Sequence, residues 1–431
     1  MKFYIYTLGC KVNTYESNVI SELLEQDSYV KTSDISDADV IIVNTCTVTN
    51  NADNKSLKTI RQAHRLNEHA FIIVCGCMSQ HENERIKDLD NVAVIIGNKN
   101  KSKIPKYIKE YLDTKKQIID IYDLTNTDFE EMKLNNFDKT RAFVKIQDGC
   151  NNFCSYCIIP YTRGNVRSKN PQLVIEEIES LVRNGHVEIV LTGIHTGHYG
   201  SEFDDYHFSD LLSDIVKIYG LKRLRISSIE ITEITDEILE IIEKNQILVD
   251  HMHIPLQSGS DTVLKNMNRK YDKNYFIRKI EDLRKIRPDI SITTDIIVGF
   301  PNETEENFTE MVETINQINF SKLHVFPYSR RSGTKADLMD NQIPEEIKKQ
   351  RVKQLLEISK KLEIKYMEKF IGRTLEFIPE IEKDGYLYGH TGNYLYIRTK
   401  GCSNLLQKSV KIKIDNIDYP YCNGIVVGGD K

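Results

Sequence analysis

The stretch "AFVKIQDGCNNFCSYCIIPYTRG" (residues 142–164) opens as a short apolar strand and runs into three closely spaced cysteines. Cys150, Cys154 and Cys157 form a C-x3-C-x2-C set. Cysteine is a rare residue, so this spacing marks a site rather than three unrelated thiols. Two chemistries suit it. Zinc in a structural site takes four ligands, usually with a second Cys or His pair, and no such pair follows nearby. Three thiolates in one loop suit a 4Fe–4S cluster with one iron left open.

Working outward, the same strand begins a βα series: "AFVKIQ", "VEIVLTG", "RLRISS", "HMHIPL", "SITTDIIVGF" and "KLHVFPY". Helical patterns lie between them, as at 171–184 and 303–318. Six strands alternating with helices predict a full or partial (β/α) barrel over 141–370, whose active residues sit on loops after the strands. The last part of that region, from Pro344 to about residue 370, reads as a long helix. It carries eight Lys/Arg against five Glu, so it is expected to present a basic face.

Residues 1–115 form another α/β series. "FYIYT", "DVIIVNTC", "FIIVCGC" and "VAVIIG" are each followed by an amphipathic stretch, at 16–26, 54–65, 81–89 and 104–115. This pattern predicts a doubly wound parallel sheet. Cys10, Cys46 and the pair Cys75/Cys77 fall at the ends of the first three strands, the sheet edge where such folds bind ligands. Residues 116–140 are polar and weakly periodic and read as a linker. Beyond 371 helical periodicity stops. Short β-like runs with Gly, Asn and Asp at the turns predict a small antiparallel β-barrel over 371–431.

The totals set limits. The net charge of −5 makes the whole chain no electrostatic magnet for nucleic acid, so a polyanion site has to be a local patch. No apolar run reaches the roughly 20 residues of a membrane span. The N-terminus lacks the basic region and apolar core of a signal peptide. A cytoplasmic location without membrane association is expected. In that reducing setting nine cysteines, an odd number, point to metal or redox work rather than disulfides.

C-x3-C-x-aromatic-C after a first barrel strand, with Tyr156 at the aromatic position, resembles the radical S-adenosylmethionine superfamily. The resemblance implies that Cys150, Cys154 and Cys157 hold a 4Fe–4S cluster whose free iron binds S-adenosylmethionine. It implies one-electron cleavage to a 5′-deoxyadenosyl radical, with the protein positioning both partners. Gly193, Glu230, Asp295 and Gly299 follow later strands and are expected to line the cofactor site. His253 and Gln257 are similar candidates. Each of these also reads as a polar or small residue of the barrel rim.

A second N-terminal cysteine set and a C-terminal barrel resemble the methylthiotransferase family over essentially the whole chain. "TLGCKVNTYES", "NTCTVTNNADNKS", "GCMSQ", "GCNNFCSYCIIPYTRG", "LQSGS", "DIIVGFP" and "PYSRRSGT" occur in its order. The resemblance implies a second 4Fe–4S cluster on Cys10, Cys46 and Cys77, acting as sulfur donor. It selects Cys77 over Cys75 through the G-C-x-x-Q form and leaves Cys75, Cys402 and Cys422 as packing or surface thiols. "LGCKVN" resembles the branch acting at C2 of N6-threonylcarbamoyladenosine, position 37 of tRNA. The isopentenyladenosine branch has Gln-Met where Lys11 and Val12 stand, and the branch modifying a ribosomal-protein aspartate also differs there. C2–H is unactivated, and no side-chain base removes its proton at neutral pH, so a radical route is required.

The implied partners are the tRNA anticodon loop, an electron donor such as flavodoxin or ferredoxin, and a sulfur source. The C-terminal barrel resembles a TRAM domain, an RNA-binding module. Tyr386, Tyr388, His390, Tyr394, Tyr396 and Arg398 alternate on its strands and suit stacking on unpaired bases. Arg330 and Arg331 are further candidate RNA contacts. The alternatives are a methylthiotransferase for the isopentenyladenosine or ribosomal-protein substrate, or a non-catalytic iron–sulfur or zinc RNA-binding protein. Three departures from the family pattern remove no ligand: Asn302 replaces a turn glycine, Ile231 a proline and Ser79 an alanine.

Overall fold

A computed structural model describes residues 1–429. The last two residues of the expected C-terminal barrel, 430 and 431, lie outside it. The N-terminal sheet is parallel throughout and has six strands, not four. Their spatial order is Val30–Lys31, Lys2–Thr7, Val40–Thr45, Phe71–Gly76, Val92–Ile96 and Ile118–Asp120. The helices Lys11–Gln26, Asn50–Leu66 and Ile104–Thr114 cover it, with an apolar core on each face. The two unforeseen strands are edge strands of two and three residues. Such short runs carry no period of their own, and their pairing comes from the neighbouring strand.

The strand Ile118–Asp120 corrects the expected boundary at 115 and the linker at 116–140. The segment after it is also no loose tether. Leu124, Met132, Leu134 and Phe137 are buried. The Leu134 N–H donates to Glu177 at 2.7 Å, and the Tyr15 hydroxyl meets the Met132 carbonyl at 2.9 Å. Polar composition hid a strap of which Met132, Leu134 and Phe137 enter the core of the central region.

The central region is a partial barrel of six parallel strands, as predicted: Arg141–Lys145, Glu188–Thr192, Arg223–Ile226, His251–His253, Ser291–Val298 and Lys322–Pro327. It consists of two three-stranded ladders joined at one bridge, Leu224 to Leu248. Tyr15 and Val19, from the first helix of the N-terminal sheet, pack into its core. That helix therefore belongs to two layers at once.

The long helix runs Glu345–Glu368. Its basic face is only partly free. Lys348 is buried and donates to the Tyr328 carbonyl at 3.1 Å, and Arg351 is buried against Glu303. Tyr366, Met367 and Phe370 at its end enter the core of the C-terminal barrel. That barrel is closed and five-stranded: Thr374–Lys383, Tyr386–Thr391, Tyr396–Lys400, Val410–Asp418 and Tyr421–Gly429. Its pairs are antiparallel except the one between Tyr396–Lys400 and Tyr421–Gly429. An odd number of strands cannot alternate direction around a closed ring, so one parallel pair is forced. No helix among the described residues is long and apolar enough to cross a membrane.

Candidate active site: two cysteine triads and a barrel lumen

Strand ends build the first triad. Cys10 caps the helix Lys11–Gln26, Cys46 follows Val40–Thr45, and Cys77 begins the helix Cys77–Glu82. The glycines before Cys10 and Cys77 are required by geometry. Gly9 has φ +100° and a Cβ there would lie 2.9 Å from Cys46 Cβ; Gly76 has φ +101° and its Cβ would lie 2.5 Å from the Thr45 carbonyl oxygen. Burial first, then the neighbouring Cys77, pushes the Cys46 thiol up to about 11. Cys75 points to the other face of its strand, into an apolar core, where burial pushes it up to about 12.

Arg163 joins this triad to the barrel. It is fully buried. Its Nε donates to Cys77 Sγ at 3.3 Å and its Nη2 to Asn13 Oδ1 at 2.8 Å. Its Nη1 reaches Glu16 and Asp148, each at 3.1 Å. Asn13 in turn donates to the carbonyls of Leu8 and Thr45, the strand ends that carry Cys10 and Cys46. Burial works against ionising Glu16, yet Lys101, Lys145 and Arg163 outweigh it and hold the carboxyl far below its usual range. The sequence contains Arg163 inside the quoted cysteine motif, but nothing in the pattern assigns it a partner 86 residues away.

Cys150, Cys154 and Cys157 form the second triad on the loop before the helix Ile159–Arg163. Burial and the neighbouring Cys154 push the Cys157 thiol up to about 12. Arg269, unforeseen, donates to Cys154 Sγ at 3.3 Å and pairs with Glu230. His195 Nδ1 lies 3.7 Å from Cys150 Sγ, and its Nε2 pairs with Glu233. Two arginines on different elements thus each address one sulfur of a different triad.

The predicted barrel residues divide. Glu230 reaches the second triad through Arg269, and Tyr156 packs edge-on to Phe300 next to it, 6.5 Å between ring centres. Asp295 sits 3.3 Å from His253 Nε2. At Gly193 and Gly299 the side where a Cβ would point is occupied by protein. Gln147 covers Gly193, its Oε1 accepting from the N–H groups of Ile194 and His195. The stem of Lys348 covers Gly299. Of the departures, Asn302 adopts φ +67°, and the buried Ser79 hydroxyl donates to the Gly76 and Ile96 carbonyls.

Among the expected RNA contacts, Arg331 is corrected: it is 3% exposed and its guanidinium is held by Asp53, Asn50 and Thr47, beside Cys46. A locally polar sequence gave no sign of this burial. Arg330 is exposed and pairs with Asp337. Arg398, Tyr386, Tyr388, Tyr396 and the unforeseen Tyr421 form an aromatic and cationic strip on the C-terminal barrel. Tyr394 faces elsewhere. It stacks between His251 and His390, 4.5 Å from each, with Arg225 and Arg141 over its ring. It closes one wall of a cavity of about 350 Å3 in the lumen of the central barrel. Lys11, from the N-terminal sheet, also lines this lumen. Lys11 stays exposed to solvent as a residue, yet the lumen wall around its ammonium and the guanidiniums of Arg225 and Arg141 bring it down to about 8.

Comparison with known proteins places this geometry. Residues 2–97 match the uncharacterized protein family UPF0004, and residues 144–315 match the radical SAM superfamily. The chain is 43% identical, over 97% of its length and 95% of the relative's, to a Bacillus subtilis (strain 168) protein named threonylcarbamoyladenosine tRNA methylthiotransferase MtaB. It is 39% identical, over 99% of each chain, to a tRNA-2-methylthio-N(6)-dimethylallyladenosine synthase of Aliarcobacter butzleri. The solved structure of the radical S-adenosylmethionine methyltransferase TsrM from Kitasatospora setae shares the fold, with a TM-score of 0.57 at 13% identity, covering 78% of this chain and 74% of that one.

Proposed function

The chain belongs to the radical S-adenosylmethionine methylthiotransferases, and from that premise we propose that it converts N6-threonylcarbamoyladenosine at tRNA position 37 to its 2-methylthio derivative. The observation that carries this reading is 43% identity across nearly the whole chain to an enzyme named for that nucleoside. The family's cofactors are two 4Fe–4S clusters and S-adenosylmethionine.

The donor sets fit these groups. Each triad offers three free thiols and no fourth cysteine, so a 4Fe–4S cluster held there would keep one iron without a cysteine ligand. Cys10, Cys46 and Cys77 would hold one cluster, and Cys150, Cys154 and Cys157 the other. When bound, these groups supply one-electron cleavage of S-adenosylmethionine and the sulfur that is transferred. The remaining work belongs to the chain. Arg163 and Arg269 each donate a hydrogen bond to a ligand sulfur, offsetting negative charge on thiolates held out of water. Glu230 fixes the orientation of Arg269. Arg163, locked by Glu16 and Asp148, sets the first triad against the loop that carries the second. The tyrosine and arginine strip of the C-terminal barrel receives unpaired bases of the anticodon loop by stacking. Arg330 and the exposed lysines of the Glu345–Glu368 helix add phosphate contacts. An external electron donor such as flavodoxin or ferredoxin and an external sulfur source complete the cycle.

Mass spectrometry of tRNA nucleosides from a deletion strain tests the reading. Loss of the 2-methylthio form of threonylcarbamoyladenosine is expected. Loss of the 2-methylthio form of isopentenyladenosine instead would overturn the substrate.

A further inference from the structure

The barrel lumen is lined by cationic side chains whose hydrogen-bonding capacity the fold leaves partly unmet. Arg225 is 3% exposed on the strand Arg223–Ile226. Its Nε donates to Glu188 at 2.9 Å and its Nη2 to the Gly392 carbonyl at 3.3 Å, but its Nη1 is buried with no acceptor. His251 Nδ1, on the same cavity wall, is likewise buried and unmet. Lys11 makes no hydrogen bond or ion pair among the described residues, although it lines the same cavity. A buried donor without an acceptor costs about 1–3 kcal/mol, so the open edge of Arg225 calls for an occupant; His251, which burial and the Arg225 guanidinium keep neutral, can meet that occupant as donor or acceptor.

Most carboxylates in and around the lumen are already engaged. Glu188 is shared by Arg223 and Arg225, Glu380 by Arg141 and His390, and Glu363 by Lys322, while Asp295, 3.3 Å from His253 Nε2, also acts on Lys11 without forming an ion pair with it. What remains is one edge of a guanidinium and a free ammonium. Like charges facing a shared cavity favour an anion between them.

We propose that this lumen is the receptor for the carboxylate on the N6 side chain of the substrate nucleoside, with Lys11 and Arg225 as the anion-binding pair. The proposal rests on the substrate reading above. A threonylcarbamoyl group ends in a carboxylate and a hydroxyl, whereas a dimethylallyl group is hydrocarbon and would leave both cations unmet. Sites built from buried polar groups reject ligands that lack the matching group. Lys11 also gives the receptor its place. It follows Cys10 directly, so an anion held by Lys11 is anchored beside the first triad. Its side chain comes from the N-terminal sheet and Arg225 from the central barrel, so the receptor is complete only when the two regions are docked.

The test uses the reconstituted full-length enzyme and anticodon stem-loop RNA carrying either threonylcarbamoyladenosine or its carboxamide, in which the carboxylate is neutralised. For the unaltered enzyme a KM roughly 10- to 100-fold higher for the carboxamide is expected, the size of one or two charge-assisted hydrogen bonds, with a smaller change in kcat. In Lys11→Gln the acid and amide should converge, while Lys11→Arg keeps the preference for the acid. Equal KM values for acid and amide in the unaltered enzyme overturn the receptor and leave the substrate reading standing. Full acid preference in Lys11→Gln also overturns it. An unaltered enzyme that methylthiolates neither RNA overturns both readings together.

Discussion

The two cysteine triads reach the same composition by opposite routes. The second is written within eight residues of one loop, Cys150 to Cys157, and depends on local backbone alone. The first gathers Cys10, Cys46 and Cys77 from three strand ends, so it exists only when the parallel sheet is paired. Yet each is completed the same way, by a buried arginine donating to one sulfur at 3.3 Å, Arg163 to Cys77 and Arg269 to Cys154. The arginines differ in what else they hold. Arg163 ties the sheet to the barrel through Asn13, Glu16 and Asp148, whereas Arg269 anchors only within the barrel.

The sharpest way to break this comparison is to remove one cysteine from each triad. Cys154→Ala is expected to abolish 5′-deoxyadenosine formation, while Cys46→Ala keeps that cleavage and stops thiolation of tRNA. Normal thiolation by Cys46→Ala would falsify the division of labour. Next in size is Arg163→Met. It strips a fully buried charge from Glu16 and Asp148, so a loss of about 3–5 kcal/mol in unfolding free energy is expected, read by denaturant titration. Arg269→Met loses one carboxylate partner rather than two, and its loss in the same titration should be smaller. An equal or reversed order would show that Arg163 does not join the two regions.

Tyr421→Ala, on the outer strip of the C-terminal barrel, should weaken tRNA binding by about 1–3 kcal/mol per lost base stack, measured as Kd by gel shift. An unchanged Kd removes the strip from the RNA interface. The smallest effect belongs to Cys75→Ala. It removes a sulfur from an apolar core, a cost of about 1 kcal/mol, and should leave about eight irons per chain after reconstitution. A halved iron content would put Cys75, not Cys77, in the first triad.

The α/β order of the first two regions and the six barrel strands were legible, because hydrophobic runs of strand length recur between helical periods. The cysteines were legible because glycine-cysteine pairs and tight spacing mark themselves. The edge strands Val30–Lys31 and Ile118–Asp120 and the strap after them were not, since two or three residues carry no period. Gly193 and Gly299 drew attention as candidate cofactor-site residues, and the side chains that pack where their Cβ would be, Gln147 and Lys348, come from other parts of the chain. Arg331 looked like a surface cation because burial by Asp53 is a contact across 278 residues.

The sequence by itself determined the three-part architecture and the family, and singled out the candidate thiols, since these rest on local period, spacing and motif. Only the tertiary structure decided which arginine addresses which sulfur, that the first helix is shared by two cores, and that Lys11 lines the same barrel lumen as Arg225, whose Nη1 has no acceptor. Those outcomes depend on packing between segments distant in the chain, where burial turns an ordinary polar side chain into one that must find a partner.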